Sequence, residues 1–259
     1  MTINGLTKKR HTIPAMYQLG MWRVQYLQKV CCVCRIYPVA TISFAKKGAQ
    51  LEHPFFSYLV CHACHQDLDW LPATYELSLS LLKPEQQAQS VSVFDALTIQ
   101  SAAPHVNYLR TAIINFKYKE QLSALPILVH ALRQLPRPQG CHGGNSVILA
   151  TPTTEHRLAV RGFEPVAVLA HYLSQHWQIP LWHGVVRIDD AGSQQGLDRH
   201  QRQSNMSQAF QVIEKPPCRN LLLFDDVVTT GATLSALALT LLNQYPKTKI
   251  LAYSLSHGH

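Results

Sequence analysis

Two adjacent carboxylates and a hydroxyl-rich loop form the segment of this 259-residue chain best suited to chemistry. Asp225 and Asp226 follow four apolar residues, 221–224, and precede a Thr-Thr-Gly-Ala-Thr segment at 229–233. In open α/β sheets, ligands bind outside the carboxyl ends of the strands. A loop that opens a helix presents N–H groups suited to a phosphate, and carboxylates beside it can accept hydrogen bonds from sugar hydroxyls. The segment therefore predicts a site for a phosphorylated sugar.

Two Cys-x2-Cys pairs form a second candidate site, for a metal ion. The predicted ligands are Cys31, Cys34, Cys61 and Cys64. Four thiolates from two such pairs fit a tetrahedral structural zinc site. Cys32 remains an alternative to Cys31, because both lie close to Cys34 in the sequence.

The positive charge of the chain is concentrated near its start. Residues 1–60 carry eight Lys or Arg residues and one acid, whereas the other 199 residues carry fifteen bases and fourteen acids. A local basic patch favours phosphate backbones or anionic lipid, although a solvated surface has the same composition. The interleaved aromatic residues are Trp22, Tyr26, Tyr37, Phe44, Phe55, Phe56 and Tyr58. Bases of single-stranded nucleic acid can stack on such rings, but the same rings could also form the core of a cysteine module.

Sequence composition favours a globular protein of the cytoplasm. No run of about 18 apolar residues predicts a transmembrane helix, and no apolar stretch follows the basic start as a secretory signal requires. Seven cysteines without an export signal favour reduced thiols. The Cys-x-x-Cys-His segment at 61–65 also matches a c-type haem attachment pattern, but that attachment requires export.

Apolar periodicity after residue 100 predicts an alternation of strands and helices. The predicted strands are 147–150, 185–188, 221–224 and 250–255, and the predicted helices are 108–116, 119–134, 163–177 and 232–244. This alternation is typical of an α/β fold with a parallel sheet flanked by helices.

The segment from Asp225 to Thr233 resembles the phosphoribosyl diphosphate (PRPP) motif of type I phosphoribosyltransferases. The resemblance implies that Asp225 and Asp226 are the catalytic acids and hold the ribose hydroxyls, with Mg²⁺ bound alongside PRPP. It also implies that the segment as a whole binds PRPP and that its second half cradles the 5′-phosphate. The PRPP-binding residues would be Asp225, Asp226, Val227, Val228, Thr229, Thr230, Gly231, Ala232 and Thr233.

Further segments resemble the ComF/GntX competence family. The matching segments are Ile148–Pro152, His156-Arg157, Arg161-Gly162-Phe163, Phe116-Lys117-Tyr118, and the pattern Gln194, Gly196, Leu197, Arg199, Arg202, Asn205, Ala209 and Phe210. By this resemblance, Arg157 and Arg161 are candidate pyrophosphate contacts, since guanidinium groups bind phosphate oxygens in bidentate fashion. Glu164 and Pro165 stand where the family usually has Asn-Gln.

The resemblance also implies a domain organisation. We expect a tail or short helix over 1–29, a zinc-ribbon-like module over 30–84, and a phosphoribosyltransferase-like domain over 85–259. The expected fold of the last domain is the parallel α/β sheet of type I phosphoribosyltransferases.

The function implied by the resemblance is natural transformation. Such a protein would handle incoming single-stranded DNA, bind PRPP, and act in the cytoplasm or at the inner face of the membrane. Its partners would include a competence helicase or inner-membrane DNA channel proteins. Two alternatives stay open: a metabolic phosphoribosyltransferase that transfers phosphoribosyl to an unidentified acceptor with release of pyrophosphate, and a regulator that binds PRPP without chemistry.

Overall fold

A sheet of parallel strands organises the chain. The computed structural model describes residues 30–39, 59–72, 76–80, 96–188 and 209–258. The strands within these ranges are β1 Glu76–Ser80, β2 Ala96–Pro104, β3 Ser146–Ala150, β4 Val185–Arg187, β5 Phe210–Val212, β6 Asn220–Val228 and β7 Lys249–His257. The order of the main sheet is β1-β2-β7-β6-β3, and β4 pairs with β5 separately. β2, β7, β6 and β3 are parallel to one another, whereas β1 is antiparallel to β2, so the predicted parallel α/β sheet is confirmed.

Helices cover both faces of this sheet. They are α1 His62–Gln66, α2 Asn107–Lys119, α3 Leu125–Leu132, α4 Glu155–Arg161, α5 Pro165–Trp177 and α6 Ala232–Gln244, with a 3₁₀ turn at Leu122–Ala124. None of the helices in the described ranges has the length and apolar character needed to cross a membrane.

β6 lies between β7 and β3 and divides the core into two clusters. Side chains alternate along a strand, so Leu222 and Phe224 pack with α2, α3 and α5, while Leu221 and Leu223 pack with α6 on the other face. All four side chains are at most 1% exposed. Burial of each contributes about 1.5–3 kcal/mol, which fixes the strand that carries the two acids.

β6 is longer than its apolar pattern predicts. The expected strand covers 221–224, but backbone pairing with β7 continues through both acids to Val228, which lies opposite His257. The run of four apolar residues ends at Phe224, but Val228 still belongs to the core cluster on the α6 face, so both burial and pairing with β7 continue past the acids. The two acids therefore lie within the strand rather than in the loop that follows it, and the pairing with β7 fixes their backbone.

Four further elements differ from the sequence prediction. The helix expected over 119–134 is shorter and begins only at Leu125, because Glu120 adopts a left-handed conformation (φ 53°) that ends α2, and Pro126 stands in the first turn of α3. β1 and β2 were not predicted. α4 also appears as a separate short helix, which Gly162 ends with φ 73° before α5 begins.

The cysteine module shares the core of the larger domain. Cys31, Leu59 and Cys61 belong to the same buried cluster as Leu128 of α3. β1, which precedes the predicted boundary at residue 84, pairs with β2 of the main sheet. The boundary itself stays a prediction, and the expected tail over 1–29 lies outside the described residues.

Candidate ligand and metal sites

Asp226 is buried at the carboxyl end of β6 and is paired with a lysine. The side chain of Asp226 is only 4% exposed. Nζ of Lys117, in the last turn of α2, lies 2.9 Å from Oδ1 and 2.7 Å from Oδ2 of Asp226. The backbone N–H of Val227 also donates to Oδ1 at 2.8 Å. Both carboxylate oxygens are therefore engaged within the protein.

Asp225 has a different environment from its neighbour. It is half-buried, and its Oδ1 accepts a hydrogen bond of 2.9 Å from the backbone N–H of Asp226. Burial raises the pKa of Asp225 from 3.8 to about 8, and the nearby charge of Asp226 acts in the same direction, while Lys117 opposes it. The two acids are thus distinct: Asp226 is held by a cation, whereas Asp225 resists ionisation.

The loop after β6 opens α6 as the sequence predicts. Thr229 and Thr230 are exposed, and Gly231 is the N-cap residue with φ 70°. A side chain at position 231 would strain this left-handed backbone. The N–H of Ser235 donates to the carbonyl of Gly231 at 2.9 Å, and the hydroxyl of Thr230 accepts from the N–H of Ala232 at 3.4 Å. The loop therefore presents two exposed hydroxyl groups beside the first N–H groups of a 13-residue helix.

Two residues from neighbouring strands line the same edge of the sheet. Nδ1 of His105, which follows β2, lies 3.0 Å from Oγ of Ser256 on β7. Ser256 in turn donates to the backbone carbonyl of Asp226 at 3.5 Å. Burial lowers the pKa of His105, with Arg110 contributing in the same direction. Sequence reasoning missed both residues, because only the order of the strands brings them beside Asp226.

The candidate pyrophosphate contacts lie on α4, in the loop between β3 and α5. Thr154 caps this helix by accepting from the N–H of Arg157 at 3.2 Å. Arg157 is exposed, and the guanidinium carbon of Arg161 lies 5.3 Å from the centre of the Tyr118 ring. Glu164 accepts from the N–H of Thr153 at 2.9 Å, so the residue that departs from the family pattern closes the base of this loop.

The four predicted cysteines meet in one cluster. The sulfur atoms of Cys31, Cys34, Cys61 and Cys64 all lie within 4.8 Å of one another. The sulfurs of Cys34 and Cys61 are 3.7 Å apart. A tetrahedral zinc ion with Zn–S bonds of about 2.3 Å places its sulfurs about 3.8 Å apart, so the donor set fits this metal.

Cys32 points away from the cluster. Its thiol donates to the carbonyl of Leu59 at 3.3 Å, and burial raises its pKa to about 12. The geometry thus places Cys31, and not Cys32, in the cluster of four sulfurs. Hydrogen bonds from the backbone N–H groups of Tyr37 and Ile36 lower the pKa of Cys34 to about 6, which favours the thiolate that a metal requires.

Local turns position both cysteine pairs. Arg35, with φ 56°, allows the chain to turn between the first pair and Tyr37. The N–H of Cys31 donates to the carbonyl of Tyr37 at 2.8 Å. In the second pair, Cys61 is the N-cap of α1, and its sulfur accepts from the N–H of Cys64 at 3.5 Å. Each pair therefore converges because of its own short segment.

Comparisons with known proteins point in one direction. Over 142 residues, the chain is 28% identical to "Competence protein F" of Haemophilus influenzae, a match that covers 52% of this chain and 62% of that relative. The chain thus spans less than two thirds of the curated relative that it matches. These features fit the ComF competence family.

The other comparisons add less. No family model matches the chain. The solved structure of Helicobacter pylori xanthine-guanine-hypoxanthine phosphoribosyltransferase aligns with 55% of this chain and 76% of its own, at 19% identity and a TM-score of 0.33. A TM-score this low adds nothing to the strand order given above.

Some residues named for the ComF pattern have no structural description. The Gln-x-Gly-Leu segment and its following arginines, within 194–205, lie outside the described residues. The same holds for the N-terminal aromatic residues except Tyr37, which is 56% exposed beside the cysteine cluster. The Phe-Lys-Tyr segment at 116–118 lies inside the described residues. Each of its side chains contacts a residue distant in the sequence: Phe163, Asp226 and Arg161, respectively.

Proposed function

We propose that this protein is a ComF-like component of natural transformation that binds PRPP with Mg²⁺ at the carboxyl edge of β6. The observation that carries the proposal is the direct succession of two acids, an exposed threonine loop and the start of α6 on one stretch of backbone, 225–233. Such a loop offers N–H and hydroxyl groups to a phosphate, while the strand end offers carboxyl groups to a sugar.

In this proposal the residues of the loop bind and the acids orient. Thr229–Thr233 hold the 5′-phosphate, and the acid pair orients the ribose: Asp225 would do so directly, and Asp226 indirectly, because both of its oxygens are engaged within the protein. Arg157 and Arg161 lie on the loop after β3, which is the neighbour of β6 in the sheet, and would meet the pyrophosphate group. Catalysis, if phosphoribosyl transfer occurs, would then rest on positioning and on stabilisation of the leaving diphosphate.

Magnesium fits the donor set at this edge. Asp225 is the carboxyl group of the pair that has no cation partner among the described residues, and Mg²⁺ commonly uses one or two carboxylates together with phosphate oxygens. When bound, the ion would neutralise charge on the diphosphate. Asp225 must lose its proton to serve as a ligand, because the pKa of this carboxyl lies near 8.

The cysteine cluster serves structure in this proposal. Four sulfur donors leave no open position for a substrate, as is typical of structural zinc. Since the cluster shares its core with α3, zinc would stabilise the ligand-binding domain as well as the module. Thiolate ligands persist in reducing compartments, which supports a cytoplasmic protein, either free or at the inner face of the membrane with a competence helicase or DNA channel proteins.

Thermal unfolding with PRPP and Mg²⁺ tests the ligand. A ligand that binds only the folded state stabilises it by RT ln(1 + [L]/Kd), so we expect a rise in Tm that grows with PRPP concentration. The variant with both Asp225→Ala and Asp226→Ala should lose that rise. A wild-type Tm that stays constant at millimolar PRPP with magnesium contradicts the proposal.

Binding of single-stranded DNA is tested separately. The basic N-terminal quarter and the name of the relative support this partner. We expect a gel shift that weakens steeply between low and moderate salt, because phosphate contacts release counterions. PRPP binding without any DNA shift at low salt would instead favour a metabolic phosphoribosyltransferase.

A further inference from the structure

The bond between Lys117 and Asp226 lies inside the proposed ligand site, yet the PRPP motif does not account for it. Nζ of Lys117 contacts both carboxylate oxygens of Asp226, at 2.9 and 2.7 Å. The carboxylate is buried, and the lysine side chain is about a quarter exposed at 24%. An ammonium group that binds both oxygens of a buried carboxylate cancels its charge.

The neighbours of Lys117 hold it in that position. The ring of Phe116 packs edge-to-face on Phe163 at a centroid distance of 5.3 Å, and the ring of Tyr118 lies under Arg161. Both partners flank the end of α4. The last turn of α2 therefore contacts the acid pair on one side and the arginine loop on the other, and Lys117 is placed between them.

Charge is the reason such a lysine matters here. A diphosphorylated ribose is a polyanion, and two uncompensated carboxylates beside its binding loop would repel it, strongly so in a partly buried site. Asp225 is the acid that the proposed function assigns to Mg²⁺, which would supply its compensating charge. Asp226 is buried away from solvent, and its compensating charge comes from the ammonium group of Lys117.

We propose that Lys117 is a specificity-determining positioning residue, which neutralises Asp226 so that the site accepts a polyphosphorylated sugar. This role rests on the proposed PRPP function. In this arrangement Asp226 supports the site electrostatically and keeps its bond to Lys117, while Asp225 and the 229–233 loop face the ligand. The preference of the site for a sugar diphosphate over a sugar monophosphate then depends on Lys117, although Lys117 contacts neither ligand.

Calorimetric titration of the full chain with PRPP and with ribose 5-phosphate, both with Mg²⁺, tests this role. Lys117→Met should weaken PRPP binding by about tenfold or more, since a charge-assisted bond to a buried group contributes at least that factor. The loss for ribose 5-phosphate should be several-fold smaller, because it carries less charge. Lys117→Arg should retain most of the affinity, and the exposed Lys119→Met, two residues along the same helix, should leave both affinities unchanged.

A double variant tests whether Lys117 acts by neutralising the charge of Asp226. Lys117→Met with Asp226→Asn removes both charges and keeps similar shapes, so its PRPP affinity should return to within a few-fold of wild type. The double variant can also be measured if Lys117→Met alone does not fold, because it leaves no uncompensated carboxylate in the site. Equal losses for the two ligands in the single variant, or no recovery in the double variant, would overturn the role and indicate that Asp226 or Lys117 contacts the ligand directly. Absence of PRPP binding by the wild type would instead contradict the proposed function itself.

Discussion

The cysteine cluster and the acid pair differ in how their partners reach them. All four sulfurs come from two short segments, and each pair converges through its own turn or helix cap. The acids stand side by side on β6, but the partner of Asp226 is 109 positions away in the sequence. Local turns therefore bring together the sulfurs of each cysteine pair, whereas long-range packing determines which of the two acids is paired within the protein.

Removal of one cysteine should have the largest effect. Cys61→Ser should release the metal and lower the free energy of unfolding by about 5 kcal/mol or more, because structural zinc binding is folding energy. The shared core should carry this loss into the whole domain and lower the Tm by roughly 10 °C or more. Zinc content by atomic absorption and thermal unfolding measure both.

Cys32→Ser is the matched control, since a serine hydroxyl can still donate to the carbonyl of Leu59. It should keep one zinc per chain and nearly the wild-type Tm. Loss of zinc in this variant would show that Cys32, rather than Cys31, completes the ligand set.

Lys117→Met should have the next largest effect on stability. It leaves a buried, uncompensated carboxylate at Asp226, which costs about 3 kcal/mol in urea-induced unfolding. Lys119→Met should change stability by less than about 0.5 kcal/mol, as is usual for an exposed residue. If both variants unfold at the same urea concentration, the ion pair contributes nothing and the contrast between the two sites disappears.

The protonation of Asp225 predicts a pH effect of intermediate size. Its pKa is raised from 3.8 to about 8 in the folded protein, so between these values the folded state holds a proton that the unfolded state has released. Stability from this group should therefore fall as pH rises through this window and level off above about pH 8.

Asp225→Asn removes the titration of this carboxyl group and leaves the histidines unchanged. A comparison of the variant with the wild type therefore isolates the contribution of Asp225. The Tm difference between the variant and the wild type should grow in favour of Asn from about pH 6 to pH 9. Parallel Tm curves for the two proteins over this range would show that Asp225 is ionised throughout, like an exposed carboxylate.

Tyr118→Ala should produce the smallest effect. Loss of the ring under Arg161 removes about 0.5–1 kcal/mol of cation–π interaction, which corresponds to roughly two- to fivefold weaker PRPP binding. Tyr108→Ala is the control, because that ring is also exposed and on α2 but lies at the opposite end of the helix. Equal PRPP affinities for both variants would mean that Arg161 does not depend on Tyr118 for its position.

Much of the architecture follows from the sequence. The helix predicted over 232–244 has those bounds in the structure, and the parallel sheet follows from alternating apolar periods. β1 and β2 were not predicted, although Leu77 and Leu79 of β1 and Leu97 and Ile99 of β2 alternate with polar residues as in a half-buried strand; both segments are short and border a polar connection. The acids were assigned equal roles, since a linear motif cannot show that one side chain meets α2.

The sequence by itself determined the two cysteine pairs, the threonine-rich loop that opens α6, and the position of both acids directly after the apolar residues of a buried strand. Residues a few positions apart are constrained by the local backbone, and these patterns express that constraint. The tertiary structure alone decided that Cys31 rather than Cys32 joins the cluster and that Lys117 holds Asp226. Both outcomes depend on the order of the strands and the packing of the helices, which bring together residues that are far apart in the sequence.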